Sequence, residues 1–150
     1  MEKIASFNVD HRKITPGVYI SRIDGDVTTY DLRTRKPNTG EVMSNSVMHS
    51  VEHLFATMVR SSEIGGKIIY FGPMGCQTGF YLLTRQVDQA KVIAVIKQTL
   101  CSIIKYDGDM PGNSELECGN YKNLDIACSK SECAAYYEII KNIDVKDLIY

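Results

Sequence analysis

The sequence predicts an α+β fold, in which an antiparallel β-sheet and the helices packed on one of its faces form two layers. Short segments rich in β-branched residues come in consecutive pairs joined by turn signals, which favours antiparallel pairing. Longer segments with apolar residues at helical spacing can bury their apolar side against one face of such a sheet. We expect a single domain over residues 1–150, because this length is typical of one domain.

The segments predicted as strands are Val18–Arg22, Val27–Arg33, Lys67–Phe71 and Phe80–Thr84. Asp24-Gly25 is a hairpin-turn signal between the first two of these segments. The last two are joined by a glycine-rich loop, residues 72–79, which also contains a proline. Tight connections of this kind leave the strands that they join antiparallel.

The segments predicted as helices run from about Val47 to Ser62, ending at Gly65-Gly66, from Asp88 to Lys105, and to about Asn142 at the end of the chain. Asn45 or Ser46 is expected to cap the first helix. A Gly/Pro/Asn-rich stretch, residues 108–113, ends the second. Ser129 and Glu132 have the spacing of a capping box for the last helix, and Asp125 is an alternative, earlier start.

The composition is that of an ordinary soluble globular protein, with 44% hydrophobic and 23% charged residues. The net charge of -1, without a basic block, argues against nucleic acid or an anionic membrane as a partner. The chain has no apolar run of about 20 residues and no signal-peptide pattern. Its five cysteines form no C-x-x-C pair, so we expect reduced thiols in a cytoplasmic protein.

A short motif on the first predicted helix, His49-Ser50-Val51-Glu52-His53, has the H-x-x-E-H pattern of inverted zincins. Residues four apart lie above one another on a helix, so both histidines can bind one metal from the same face. The Glu52 carboxylate is expected at the rim of that site, where it can reach a substrate proton or a bound water. The motif therefore predicts a metal site, although two partly exposed surface histidines would give the same pattern.

A catalytic metal site usually has a third protein ligand and one open position, so a further ligand is expected outside this helix. The candidates are Cys118, Glu117 and Glu115. Gly119 lets the backbone turn tightly beside a small ligand, and a thiolate binds zinc or iron well, which favours Cys118. The spacing leaves the glutamates open as alternatives, and Cys118 would otherwise be a buried apolar thiol.

Three other places carry groups that could do chemistry. Cys76 lies in the glycine-rich loop between two strands, where a rigid scaffold can present it, although by itself it is better interpreted as a packed loop cysteine. Ser6, Asp10 and His11 bring a hydroxyl, a carboxylate and an imidazole into one short segment. Arg33 offers a guanidinium suited to a carboxylate or a polyol. Capping or surface pairing would equally account for these last residues.

Taken together, the motifs follow one another along nearly the whole chain: Ser6-Phe7, Asp10-His11, Asp31-Leu32-Arg33, Lys36-Pro37-Asn38, His49-x-x-Glu52-His53-Leu54, Pro73-Met74-Gly75-Cys76-Gln77-Thr78-Gly79 and Cys118-Gly119. In this combination the chain resembles the S-ribosylhomocysteine lyase family, LuxS. The P-M-G-C-Q-T-G loop is long and highly specific. The chain departs from the family pattern at Tyr70, where an acidic residue is expected, and at Asn123, where a histidine is common.

The resemblance implies a LuxS/metallohydrolase-like α+β homodimer whose active sites lie at the subunit interface and use residues of both chains. It implies one divalent metal per subunit, held by His49, His53 and Cys118. Fe2+ is the implied native ion, and Zn2+ or Co2+ can replace it. Replacement by zinc is physically reasonable, because zinc generally binds nitrogen and sulfur ligands more tightly than ferrous iron does.

The resemblance also implies a reaction, the cleavage of S-ribosylhomocysteine to L-homocysteine and 4,5-dihydroxy-2,3-pentanedione, the precursor of autoinducer-2. The carbonyl would migrate along the ribose before the thioether is lost by β-elimination. Glu52 and Cys76 match the two acid–base residues that would move the protons. Ser6, His11 and Arg33 match positions that bind or orient the substrate.

Two alternatives to the lyase remain at this point. An inverted-zincin metallopeptidase would use Glu52 to activate a metal-bound water and a downstream glutamate as the third ligand. It would leave the P-M-G-C loop without a role. A non-catalytic metal- or redox-sensing module would use Cys76 and Cys118 and would not need the Glu52 carboxylate.

Overall fold

The computed structural model describes residues 9–150, which form a four-stranded antiparallel sheet and three α-helices. In chain order the elements are β1 (Gly17–Asp24), β2 (Val27–Arg33), α1 (Asn45–Arg60), β3 (Ile68–Pro73), β4 (Gly79–Arg85), α2 (Gln89–Lys105) and α3 (Ile126–Ile140). The strands lie in the order β1-β2-β4-β3. The α+β class and the antiparallel sheet predicted from the sequence are confirmed. No helix within residues 9–150 is long and apolar enough to cross a membrane.

One face of the sheet forms the core with the helices. Directly paired residues lie on the same face of a sheet, and Val18, Leu32 and Phe80 are paired across β1, β2 and β4. Phe71 on β3 is paired with Leu82 on the same face. All five side chains are buried and join residues of the three helices in one hydrophobic core. The alternation of apolar residues along these strands therefore fixes the side on which the helices pack.

The opposite face of the sheet is polar and aromatic. Tyr19, Asp31 and Tyr81 are paired across β1, β2 and β4 on this face. Tyr70 on the edge strand β3 is paired with Leu83, and 46% of its surface is exposed. The two faces of the sheet therefore differ. One packs against the helices, and the other carries the polar and aromatic side chains.

An aromatic stack attaches α1 to the sheet. The ring of Phe55 on α1 lies on that of Phe71, with centroids 4.2 Å apart, and Phe71 lies on Phe80 at 5.1 Å. Stacked aromatic pairs contribute about 0.5–1.5 kcal/mol each beyond the burial of their surface. Because α1 also carries His49 and His53, this stack determines where the two imidazoles lie relative to the strands.

The cap predicted for α1 is wrong. The helix begins at Asn45 and is capped by Ser44, whose side chain accepts a hydrogen bond from the backbone of Val47. Asn45 and Ser46 were expected to cap it, but both side chains bind Asn123 in a distant loop instead. A contact distant in the sequence has therefore displaced the local capping pattern.

The other end of α1 also differs from the prediction. The helix ends at Arg60 with Ser61 as its C-cap, whereas Gly65-Gly66 begin a short 3₁₀ turn. A Cβ atom at Gly65 would lie 2.0 Å from the carbonyl oxygen of Arg60. Gly65 is thus required because the backbone passes close to the helix end, and not because it terminates the helix.

The capping box predicted for α3 is not formed. Asp125, the alternative start, caps the helix by accepting hydrogen bonds from the backbone of Ala127 at 2.9 Å and of Cys128 at 3.1 Å. Glu132 instead accepts hydrogen bonds from both terminal nitrogens of Arg35, at 2.7 and 2.6 Å. The glutamate of the apparent box thus joins α3 to the segment that follows β2.

We expect Phe71→Ala to lower the free energy of unfolding by about 3–5 kcal/mol, because it removes the middle ring of the stack and leaves a cavity. Urea denaturation followed by circular dichroism measures this change. Ile23→Ala on β1 is the control, because Ile23 is 60% exposed and a surface substitution changes stability by only about 0.5 kcal/mol. Equal effects of the two substitutions would show that the stack does not hold α1 in place.

Candidate metal centre and active site

The residues that could hold a metal come from α1 and from the loop before α3. His49 and His53 lie one turn apart on α1, and their rings meet edge to face with centroids 4.6 Å apart. The loop brings the Cys118 sulfur to 3.3 Å from His49 Nε2. One ligand atom from each of the three residues lies within 4.8 Å of the others, and all three side chains are half-buried. We call His49, His53 and Cys118 the metal group.

The metal group fits a divalent transition metal. Zinc binds nitrogen at roughly 2.0–2.1 Å and thiolate sulfur at roughly 2.3 Å, so tetrahedral ligand atoms lie roughly 3.5 Å apart. The 3.3 Å between Cys118 and His49 already matches this spacing, and the group as a whole lies within 4.8 Å. Two imidazoles and one thiolate also suit iron and cobalt. Of the candidate third ligands, Cys118 meets the histidines, whereas exposed Glu117 accepts a hydrogen bond from Ser114.

Both histidines direct the same nitrogen toward the metal group. His53 Nδ1 donates to the carbonyl oxygen of Pro111 at 2.8 Å, and His49 Nδ1 donates to Asn123 Oδ1 at 2.5 Å. These acceptors keep the proton on Nδ1, so that Nε2 of each ring is free to bind a metal. Glu52, on the same helix one residue before His53, is half-buried.

The loop that holds His53 was not recognised from the sequence, where residues 108–113 were interpreted only as a helix-ending stretch. Gly112 has a φ of +70°, a conformation that favours glycine, and a Cβ atom there would lie 2.9 Å from His53 Nδ1. Pro111 supplies the carbonyl that binds the same nitrogen. A proline followed by a glycine was the available signal, but its partner 58 residues away could not be read from the pattern.

A second group of candidate residues lies around Arg33, on the polar face of the sheet. Its guanidinium is 2% exposed and binds Asp31 through two hydrogen bonds, of 3.1 and 2.5 Å. Its third nitrogen donates to Thr78 Oγ1 at 2.6 Å and lies 3.9 Å from the Cys76 sulfur. The Cys76 sulfur is also 3.0 Å from Thr78 Oγ1. We call Asp31, Arg33, Cys76 and Thr78 the Arg33 cluster.

The charges in the Arg33 cluster compensate one another. Burial alone would lower the pKa of Arg33, but the hydrogen bonds and the charge of Asp31 raise it above its ordinary value. The hydroxyl of Tyr150 donates to Asp31 at 2.8 Å, and its ring stacks on Tyr19 with centroids 4.8 Å apart. Burial and the neighbouring Asp31 raise the pKa of Tyr150. The tyrosine therefore stays a neutral donor to the buried carboxylate.

The predicted site residues form two groups, the metal group and the Arg33 cluster. Within residues 9–150, no hydrogen bond or ion pair joins the Arg33 cluster to the metal group. His11 is half-buried and donates from Nδ1 to the carbonyl of Val9 at 2.9 Å. Ser6 lies outside the described residues. Cys76 is exposed in the loop between β3 and β4.

The chain is similar to known proteins along nearly its whole length. The sequence model of the family described as S-Ribosylhomocysteinase (LuxS) matches residues 4–146. The chain is 41% identical to a protein of Desulfotalea psychrophila named S-ribosylhomocysteine lyase, over 100% of its own length and 99% of that protein. Proteins of the same name from Finegoldia magna and Borreliella afzelii are 41% and 40% identical to this chain, again over 100% of this chain and 99% of each relative. The chain therefore belongs to the S-ribosylhomocysteinase (LuxS) family.

Proposed function

We propose that this chain is an S-ribosylhomocysteine lyase, which forms L-homocysteine and 4,5-dihydroxy-2,3-pentanedione, the precursor of autoinducer-2. The observation that carries the proposal is the metal group with Glu52 on the same helix, in a chain similar along its full length to proteins named for this activity. We further propose that residues 1–150 act as one domain in the cytoplasm. The single core formed by residues 9–150 supports one domain, and the five free cysteines support the cytoplasm, which keeps thiols reduced.

His49, His53 and Cys118 would hold the divalent ion that the family resemblance implies, one per subunit, with Fe2+ as the native ion and Zn2+ or Co2+ as substitutes. When bound, such an ion supplies Lewis-acid stabilisation of the negative charge that develops on the substrate oxygens. The His/His/Cys donor set supports a borderline-soft ion of this kind over magnesium or calcium, which prefer oxygen ligands.

Two side chains of the protein would move the protons. Shifting the carbonyl by one carbon requires that a proton leave one carbon and another be added to its neighbour. The final β-elimination removes a proton beside the carbonyl, breaks the carbon–sulfur bond and releases homocysteine, whose thiolate takes up a proton. Glu52 at the rim of the metal group and Cys76 in the exposed hairpin would share these transfers, each contributing roughly 10²–10⁴-fold.

The remaining proposed residues would orient the substrate. Arg33 reaches the Cys76 sulfur at 3.9 Å while Asp31 holds its other side, so it would act directly beside the reacting thiol. Thr78 lies between them and fixes the side chains of both. Ser6 and His11 are proposed to bind the substrate on the basis of the family resemblance.

A homodimer with shared active sites accounts for the separation of the two groups. A site that needs both Glu52 and Cys76 is completed if a second copy supplies one of them. The polar and aromatic face of the sheet, with Tyr70, Tyr81 and Leu83 on two neighbouring strands, offers a surface for such a copy. Closed two-fold dimers are also the commonest oligomers of soluble proteins.

We expect Glu52→Gln to retain the metal and to lower the release of homocysteine by roughly 10²–10⁴-fold, because the amide cannot accept a proton. The assay incubates reduced, metal-loaded protein with S-ribosylhomocysteine and titrates free thiol above that of the protein. Glu63→Gln is the control, since Glu63 is exposed and pairs with Lys91. Unchanged release by Glu52→Gln would refute the proton-transfer role of Glu52, and no release by the unaltered protein would refute the lyase and favour the sensing module.

We expect Cys118→Ala to lose most of the bound metal and Glu117→Ala to keep it, because only the sulfur of Cys118 lies beside His49. Metal content per chain after gel filtration measures both effects. Cys128→Ala is the control for removing a half-buried thiol, since its sulfur donates to the carbonyl of Asp125. Retention by Cys118→Ala with loss by Glu117→Ala would instead support the peptidase alternative.

We expect a mixture of the Glu52→Gln and Cys76→Ala proteins to regain activity after subunit exchange, although each alone is inactive. If each site uses Glu52 of one chain and Cys76 of the other, random exchange restores about a quarter of the activity of the unaltered dimer. The measurement is thiol release before and after exchange. A Glu52→Gln protein mixed with the double variant is the control and should stay inactive. Failure of the first mixture to recover would place both residues in the same chain.

A further inference from the structure

We propose that Asn123, held in turn by Asn45, is a positioning residue that fixes the imidazole of His49 for metal binding. The inference rests on the proposed metal site and adds a determinant of its affinity. Asn123 Oδ1 accepts from His49 Nδ1 at 2.5 Å, and Asn123 Nδ2 donates to Asn45 Oδ1 at 2.7 Å. We call Asn45, Asn123 and His49 the amide relay.

The backbone of Asn123 is fixed independently of its side chain. Ser46 Oγ donates to the Asn123 carbonyl at 2.5 Å, and the Asn123 amide donates to the Asn120 carbonyl at 3.3 Å in a short 3₁₀ turn. The same loop carries Cys118, so the turn joins the third ligand to the first turn of α1. Replacing the Asn123 side chain thus removes the bond to His49 while the turn keeps its own attachments.

The orientation of the Asn123 side-chain amide determines which nitrogen of the His49 ring carries the proton. An amide oxygen facing Nδ1 keeps a proton on that nitrogen and leaves Nε2 with a free lone pair. The opposite orientation would present an N–H to Nδ1 and shift the ring proton to Nε2, which could then not bind a metal. Asn45 favours the productive orientation because its Oδ1 accepts from Asn123 Nδ2.

The two histidines are therefore held in different ways. His53 is held by the backbone carbonyl of Pro111, which a side-chain substitution leaves in place. His49 is held by the side-chain amide of Asn123, which Asn45 holds in turn. A side-chain substitution can therefore change how firmly His49 is oriented for metal binding. Partners of this kind typically change metal affinity by about 10–100-fold when they are removed.

Zinc affinity measured by competition with a chelator tests the amide relay without any substrate. We expect Asn123→Ala to weaken zinc binding by about 10–100-fold. Asn142→Ala, which replaces an exposed asparagine after α3, is the matched control and should bind zinc as the unaltered protein does. Circular dichroism of both variants reports that the fold is retained.

Proton exchange at the two histidines gives a second measurement. With ¹⁵N-histidine and zinc at saturation, the Nδ1 proton of His49 should exchange faster in Asn123→Ala, while that of His53 stays protected by Pro111. The His53 signal is therefore an internal control for the fold around the site. Unchanged zinc affinity together with unchanged protection of His49 in Asn123→Ala would overturn the proposal.

Asn45 provides a variant that keeps the Asn123 side chain. An aspartate at this position can only accept hydrogen bonds, so Asn45→Asp should hold Asn123 in the productive orientation and bind zinc at least as tightly as the unaltered protein. Asn45→Ala should bind zinc more weakly. Equal affinity of these two variants would contradict the role given to Asn45. All three measurements are independent of homocysteine release, so failure of the lyase assay leaves them interpretable.

Discussion

The packing of α1 on the sheet is the constraint on which the metal group depends. Successive helical residues are rotated by roughly 100°, so Phe55 lies roughly 200° around the helix from His53. Phe55 is therefore buried in the aromatic stack while the histidines face the loops outside the core. A rotation of the helix that exposed the histidines differently would pull Phe55 away from Phe71. The apolar side of α1 thus sets the direction in which its two histidines point.

Two loops beside α1 supply the atoms that contact its histidines. One loop supplies the Pro111 carbonyl to His53, and the other supplies both the Cys118 sulfur and the Asn123 amide to His49. Neither loop contains an α-helix or a strand. The first loop turns at Gly112, which has a positive φ, and the second contains the 3₁₀ turn that ends at Asn123. The fold therefore places the ligands with one rigid helix and two short attached loops.

The features predicted correctly from the sequence are those set by neighbours along the chain. Asp24-Gly25 at the first hairpin and the spacing of His49 and His53 need only strand or helix geometry to be interpreted. The two capping errors lie where a distant residue competes for the same side chain. Asn45 could cap a helix by itself but binds Asn123, 78 residues away, and Glu132 could form a capping box but binds Arg35, 97 residues away. Local propensity cannot reveal such competition.

The buried Asp31–Arg33 pair is charged, unlike the apolar residues that form the core. A buried ion pair often adds little net stability compared with well-packed apolar residues, since both charges lose their hydration. Here every part of the pair is satisfied, by Thr78 on one side and Tyr150 on the other, so the arrangement is held rigidly. What it places is a positive guanidinium nitrogen 3.9 Å from the exposed sulfur of Cys76. A positive charge so close to a thiol fits the proposed role of Cys76 in proton transfer. We therefore relate this pair to that proposed role and the aromatic stack to the stability of the fold.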